Sequence, residues 1–224
     1  MTPVSIGVDK DKQSPVMAKD RFDIQEKESG SIMKSLVVIN ACVRQADSRT
    51  LRIADPIIAA LSERYAVTRY NLPEMDIQPL DPDLFARRGL GDIPSWAQEA
   101  ARAIAGADRI LIAAPFWDMS FPAVLKCFIE HVSLFDITFT DNGNTCVGLC
   151  KAPKVLYITT RGMDIQTGDI LEQATPYLKA VGSLWNLGEL TTIAASNMDY
   201  LSQEEIDRKI SEAVSQGLEL AETV

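Results

Sequence analysis

The sequence has no apolar run approaching the roughly 18 residues that cross a bilayer as a helix. It has a single histidine and four cysteines, Cys42, Cys127, Cys146 and Cys150. Cys146 and Cys150 are spaced C-x3-C, but a tetrahedral metal centre needs about four ligands and there is no second pair, so no metal site is expected. The opening residues MTPVSIGVDKDKQSPVMAKD lack the basic-then-apolar order of a secretory signal. Reduced thiols and a soluble, cytoplasmic protein are the expectation. Basic blocks are missing as well. With a formal charge of −9, nucleic acid and anionic membrane are excluded as main partners. No internal repeat or low-complexity segment is present.

The most informative absence is local. The stretch NACVRQADSRTL, Asn40 to Leu51, lies between the apolar run SLVVI and a helical pattern, where α/β proteins keep phosphate loops. It holds no glycine, and it matches neither G-x-G-x-x-G nor G-x-x-x-x-G-K-[ST]. A dinucleotide or triphosphate cradle therefore lacks its sequence support. A terminal monophosphate asks less: hydroxyls, the N–H groups of a helix start and one cation. Ser48, Arg49 and Thr50 supply these. The alternative for the same residues is plain helix capping by Asp47 or Ser48, with Arg49 solvated.

What is present reads as one α/β domain. A chain of 224 residues with 46% hydrophobic residues is long enough to bury a full core. Residues 1–33 are polar and mixed in charge without sustained period, and are expected to form a flexible N-terminal extension. From Lys34 to Val224, short apolar runs alternate with helix-length patterns. SLVVIN, AVTRYNL, RILIAAP, KVLYITT and ELTTIAA read as strands, RILIAAP as a central one buried on both faces. TLRIADPIIAALSERY, SWAQEAARAIAGA, FPAVLKCFIEHVSLF, ILEQATPYLKAVGSLW and SQEEIDRKISEAVSQGLELAE read as helices. Pro56 is expected to kink the first or delay its start. Ser202 and Glu205 have capping-box spacing. Residues 73–94, rich in Pro, Gly and Asp, read as a long irregular connection, a kind that is often functional.

Strands and helices in alternation predict a doubly wound, five-stranded parallel sheet with helices on both faces. Ligands of such sheets bind beyond the carboxyl ends of the strands, where strand order reverses. Three loops become candidates. After SLVVIN come Ser48, Arg49 and Thr50. After RILIAAP come Pro115, Phe116 and Trp117, aromatics suited to a flat, partly apolar ligand edge or to ordinary core packing. After KVLYITT come Thr159, Thr160 and Arg161, then Gly162, which allows backbone N–H groups to face a ligand or merely makes a turn.

The segments ILIAAPFWDMSFPAVLKCFIEHVSLFDITF and KVLYITTRG, with TPYL at Thr175 to Leu178, resemble the FMN-dependent NADH-azoreductases, flavodoxin-like NAD(P)H:quinone oxidoreductases. The likeness covers roughly Lys34 to the C-terminus and implies a flavodoxin-like fold. It implies an enzyme using FMN, with NADH or NADPH as donor and a small-molecule quinone or azo compound as acceptor, in two-electron ping-pong hydride transfer. The flavin would carry the chemistry, with no catalytic residue of the protein's own. Carried over residue by residue, the cofactor site comprises Cys42, Ser48, Arg49, Thr50, Pro115, Phe116, Trp117, Asp118, Met119, Thr160, Arg161, Gly162 and Met163. Backbone N–H groups around Met119 and Gly162 are expected to bond the ring. The substrate pocket comprises Phe85, Trp117, Asp141 and Trp185, and the protein is expected to be a homodimer with pockets at the subunit interface.

Five positions depart from the family pattern. Ala41-Cys42 replaces a serine pair of the first loop, Asp118 an asparagine, Met163 a glycine, and Asp141 a tyrosine beside the substrate pocket. An acidic group at Asp118 would disfavour an anionic reduced flavin. A flavodoxin-like FMN reductase, an electron carrier and a non-catalytic flavin-binding module are the alternative functions. His131 is expected to be solvated or at an interface, and Cys127 to be packed.

Overall fold

The computed structural model describes residues 33–222. The expected N-terminal extension, residues 1–33, falls outside them save for Met33. In chain order the elements are β1 (Lys34–Asn40), α1 (Arg49–Ser62), β2 (Tyr65–Asn71), α2 (Pro82–Gly89), α3 (Ser95–Gly106), β3 (Arg109–Ala113), α4 (Ala123–Val132), β4 (Phe139–Asp141), β5 (Cys146–Gly148), β6 (Lys154–Thr160), α5 (Ala174–Trp185), β7 (Glu189–Ala195) and α6 (Gln203–Glu222). Five strands form one parallel sheet in the order β2-β1-β3-β6-β7, and β4 and β5 pair as a separate antiparallel hairpin. Counting only strands of the main sheet, this is the doubly wound order 2-1-3-4-5.

Alternation along the central strands makes two cores. Val37 and Ile39 of β1, with Ile110 and Ile112 of β3, pack under α3, α4 and α5. Leu36 and Val38, with Leu111 and Ala113, pack under α1 and α6. A residue-by-residue change of face is what a strand's period of two dictates, and burial on both faces explains why RILIA carries no polar residue after Arg109. Gly217 lets α6 rest directly on α1, since a Cβ there would lie 2.1 Å from Ile57 Cδ1.

Helix α1 starts at Arg49 and runs unbroken through Pro56, neither delayed nor ended by it. Pro in a helix interior costs about 3 kcal/mol. Against that stand Ile53, Ile57, Ile58 and Leu61, each buried and each contributing roughly 1.5–3 kcal/mol. Packing wins. The expected capping box holds at the start of α6: Ser202 N–H and Oγ donate to Glu205 Oε2 at 2.9 and 2.7 Å, and Glu205 N–H returns a bond to Ser202 Oγ at 3.4 Å.

Two expectations are corrected. The long connection after β2 is not irregular throughout. Leu72–Glu74 forms a 3-10 turn, and Asp81 caps α2 by accepting from Leu84 N–H at 2.7 Å. Asp81 before Pro82 is an N-cap followed by proline at N1, a start pattern hidden by the surrounding Pro and Gly. His131, expected to be solvated or at an interface, is 5% exposed and buried within the chain's own fold. The connection folds over it: His131 Nε2 lies 2.8 Å from Gln78 O, and Trp96 tilts against its ring at 5.1 Å. Arg88 reaches the same helix end, donating to the carbonyl oxygens of Glu130 and Ser133 at the C-terminus of α4.

Candidate functional site

The three candidate loops are brought side by side because pairing continues past the strand ends. Ala41 N–H bonds Ala113 O at 2.8 Å, Ala114 N–H bonds Ile158 O at 3.1 Å, Phe116 N–H bonds Thr160 O at 3.0 Å, and Arg161 N–H bonds Ala195 O at 2.8 Å. The sheet edge at the β1/β3 switch point therefore carries a row of aligned loops, with a cleft among them.

The glycine-free first loop closes by other means. Asn40 Oδ1 accepts Cys42 N–H at 2.9 Å, and Gln45 takes the left-handed conformation, φ 47°. A 3-10 turn over Gln45–Asp47 then delivers Ser48 to the N-cap of α1, where its Oγ accepts Leu51 N–H at 3.3 Å. Ser48 thus caps the helix and lines the cleft at once. Behind it, the N–H groups of Arg49 and Thr50 occupy N1 and N2, positions without an intrahelical acceptor, at the positive end of the helix. Thr50 is fully buried, its Oγ1 2.7 Å from Thr160 Oγ1.

Cys42 does not line the cleft. It is completely buried, its Sγ 3.5 Å from Ala113 O, and burial pushes its thiol up to about 11. It supports the loop from beneath and presents no group to a ligand.

The second loop contributes Pro115, Phe116 and Trp117 to the cleft. Phe116 is buried, with the Arg161 guanidinium 5.6 Å from its ring centre, whereas Trp117 is 40% exposed on the rim. Asp118 and Met119 then make a two-residue reversal between Trp117 and Ser120, whose backbones exchange bonds of 3.1 and 2.8 Å. Both central residues have positive φ, 47° and 63°. That geometry belongs to a type I′ turn, for which Asn-Gly is the preferred pair. Neither residue lines the cleft, but their strained backbone stands at its edge.

The third loop contributes Thr160, Arg161 and Gly162. Arg161 is fully buried and turned inward. Its Nη1 donates to Ile165 O at 3.0 Å and its Nη2 to Thr167 Oγ1 at 2.8 Å, with Glu172 Oε1 3.9 Å away. Burial pulls its guanidinium below the ordinary range, and the Glu172 carboxylate opposes that pull. Arg161 Nε and Glu172 Oε2 have no hydrogen-bond partner. Arg161 holds its loop against the sheet. Met163 is 40% exposed and lies outside the cleft.

A fourth loop, after β7, went unnoticed in the sequence. It brings Met198 and Asp199 to the cleft, while the first loop adds Arg44 and Asp47. Asp199 Oδ1 pairs with Arg49 Nη1 at 2.8 Å, both partly exposed. The enclosed volume is about 140 Å³. That is below the roughly 300 Å³ at which whole-ligand pockets begin.

The residues expected around a substrate are scattered. Phe85 lies on α2, 69% exposed, and Asp141 ends β4 in the hairpin, exposed. Trp185 is a correction: it is 4% exposed, and its carbonyl accepts Cys150 N–H at 2.9 Å. Helix α5 runs antiparallel to the strands and carries its last residue to the opposite edge of the sheet, far from the loops.

A doubly wound α/β protein with an anion-suited cleft at its switch point is the class this fold and site define. The chain belongs to the family described as Flavodoxin-like fold, whose sequence model matches residues 34–219. It is 28% identical over 204 residues to an FMN-dependent NADH:quinone oxidoreductase of Clostridium perfringens, covering 84% of this chain and 98% of the relative. Its fold is that of an azoreductase from Bacillus anthracis str. Sterne, with TM-score 0.73, 17% identity, and coverage of 86% of this chain and 100% of the other. An FMN-dependent NADH-azoreductase from Bacillus anthracis str. Ames Ancestor, solved in complex with FMN, aligns with TM-score 0.69 and 19% identity over 84% of this chain and all of that one. Among the described residues, no helix is long and apolar enough to cross a membrane.

Proposed function

We propose that this chain is an FMN-dependent NAD(P)H oxidoreductase that reduces quinones or azo compounds by two-electron ping-pong transfer. The observation that carries the reading is the composition of one small cleft. The Ser48 hydroxyl, the N1 and N2 amides of α1 and the side-chain-free face of Gly162 line or border it, with Trp117 on its rim. This donor set suits a terminal phosphate, and its volume suits one end of a longer molecule. At Gly162 a Cβ would come within 2.1 Å of Asp199 Oδ2, so the glycine leaves that space to the end of a flexible, exposed side chain that a ligand can displace.

In this reading Ser48, Arg49, Thr50, Thr160 and Gly162 hold the phosphate end, and Pro115, Phe116 and Trp117 take the ring edge. When bound, FMN would supply the two-electron redox chemistry between a nicotinamide donor and the acceptor. The protein's own contribution is binding and orientation. The Trp117–Ser120 turn fixes the direction in which the Asp118 and Met119 amides point, and the buried Arg161–Glu172 pair anchors the third loop. Asp118 sets a negative charge at the same edge and opposes build-up of further negative charge there. Phe85, Asp141 and Trp117 serve the acceptor side and Met163 the cofactor side, completed by a second copy in a cytoplasmic homodimer.

The direct test is the visible spectrum of the purified protein with chromatography of the ligand released on heating. Paired bands near ~375 and ~450 nm and released FMN are expected of a flavoprotein of this kind. A protein that stays colourless after incubation with excess FMN would overturn the proposal. Arg49→Ala should weaken FMN binding, and equal affinity in an equilibrium titration would reduce Arg49 to a surface charge.

A further inference from the structure

The loop after β7 is not a free connection. Asn197 takes the left-handed conformation, φ 67°, and the next residues run along the third loop. Asn197 N–H bonds Met163 O at 2.9 Å, Met198 N–H bonds Arg161 O at 3.0 Å, and Asp199 N–H bonds Gly162 O at 3.1 Å. Ser196 Oγ adds a bond of 2.7 Å to Ile165 O. The backbone of Asp199 is therefore held in place at the wall of the cleft.

Its side chain points across the opening. One oxygen meets Arg49 Nη1 at 2.8 Å. The other lies over Gly162, in the space a Cβ would take, 2.1 Å from that ideal position. Arg49 is the first residue of α1, so the cation that the carboxylate holds is anchored beside a helix start. Cation, helix start and bare glycine are the three features that suit the cleft to a phosphate. A carboxylate of the protein itself is already using two of them.

We propose that Asp199 is a tethered competitor for the cofactor's phosphate, and that it sets how strongly the protein prefers a phosphorylated flavin over an unphosphorylated one. The inference rests on the FMN reading above. A dianionic phosphate entering the cleft meets a fixed negative charge and must take Arg49 from it. Because the competitor is part of the chain, its effective concentration does not fall on dilution. Riboflavin, lacking the phosphate, has no need of Arg49 and escapes the competition. Asp199 is thus a specificity-determining residue that lowers the affinity for FMN selectively.

The test is a fluorescence titration of flavin-stripped, full-length protein with FMN and, separately, riboflavin, for the wild type, Asp199→Asn and Asp199→Ala. Removing an exposed ion pair together with like-charge repulsion should tighten FMN binding about three- to tenfold, with riboflavin affinity changed less than twofold. Inorganic phosphate should also compete with FMN more effectively in both variants. Thermal melting of each variant establishes that it folds. Weaker FMN binding in both variants would show that Asp199 positions Arg49 for the phosphate, and unchanged FMN binding would show that the pair is idle; either overturns the proposal and leaves the FMN reading standing. A wild type that binds neither flavin overturns both.

Discussion

Thr50 Oγ1 lies 2.7 Å from Thr160 Oγ1, both buried, so one hydroxyl pair joins the first and third loops across the floor of the cleft. Thr50→Val keeps the shape but leaves the partner hydroxyl buried and unpaired, which costs about 1–3 kcal/mol. The double variant Thr50→Val/Thr160→Val removes both polar groups and should recover part of that loss. Urea unfolding of the two singles and the double gives the coupling directly, and additive losses would mean the hydroxyls act independently.

The Arg161–Glu172 pair is fully buried on both sides. Glu172 also accepts Thr175 N–H at 2.9 Å, so it fastens the start of α5 as well as the guanidinium. Breaking a buried pair from one side leaves an uncompensated charge, and Glu172→Ala should cost about 3–5 kcal/mol. Chemical denaturation reads this, and a loss below 1 kcal/mol would show that Arg161 finds its partners elsewhere.

The positive φ of Asp118 and Met119 separates substitutions by backbone fit. Asp118 is exposed, so packing hardly enters. Asp118→Asn and Asp118→Gly should leave stability within about 0.5 kcal/mol, whereas Asp118→Val should cost roughly 1–3 kcal/mol through left-handed strain. Melting curves of the three variants decide it, and a neutral valine would mean the turn opens freely.

The thiols make a prediction about pH and reactivity. Burial raises Cys42 and Cys150 from an ordinary 9.0 to about 11. The folded protein keeps those protons to higher pH than the unfolded chain does. Their contribution to stability is therefore complete below pH 9 and is lost as pH rises through 11. Urea midpoints should fall between pH 9 and 11, less steeply in Cys42→Ala, by up to about 1.4 kcal/mol per pH unit. In the native protein at pH 8, a maleimide should label exposed Cys146 and spare Cys42 and Cys150. Labelling of Cys42 without denaturant would show that the first loop opens.

Several elements could be read directly from the chain because their cause is local. KVLYITT and ELTTIAA coincide with β6 and β7, and the Ser202–Glu205 box opens α6, since strand alternation and capping act over two to four residues. The hairpin β4–β5 was missed because three-residue strands carry too little period to be seen. Helix α2 hid behind its own proline. For His131 the misreading was of a different kind: its burial depends on Gln78, 53 positions away, and on Trp96, both folding against it.

The candidate site divides the same way. By itself the sequence determined that Ser48, Arg49 and Thr50 stand at a helix start after a buried strand, and that Trp117 and Gly162 follow two others, because strand ends, caps and glycine are local properties. Only the tertiary structure decided how those side chains are employed. It turned Arg161 inward to Glu172, carried Trp185 to the far edge, sank Cys42 beneath its loop and set Asp199 on Arg49 from 150 residues away. Charge pairing and burial depend on distance in space, and only the packed sheet sets those distances.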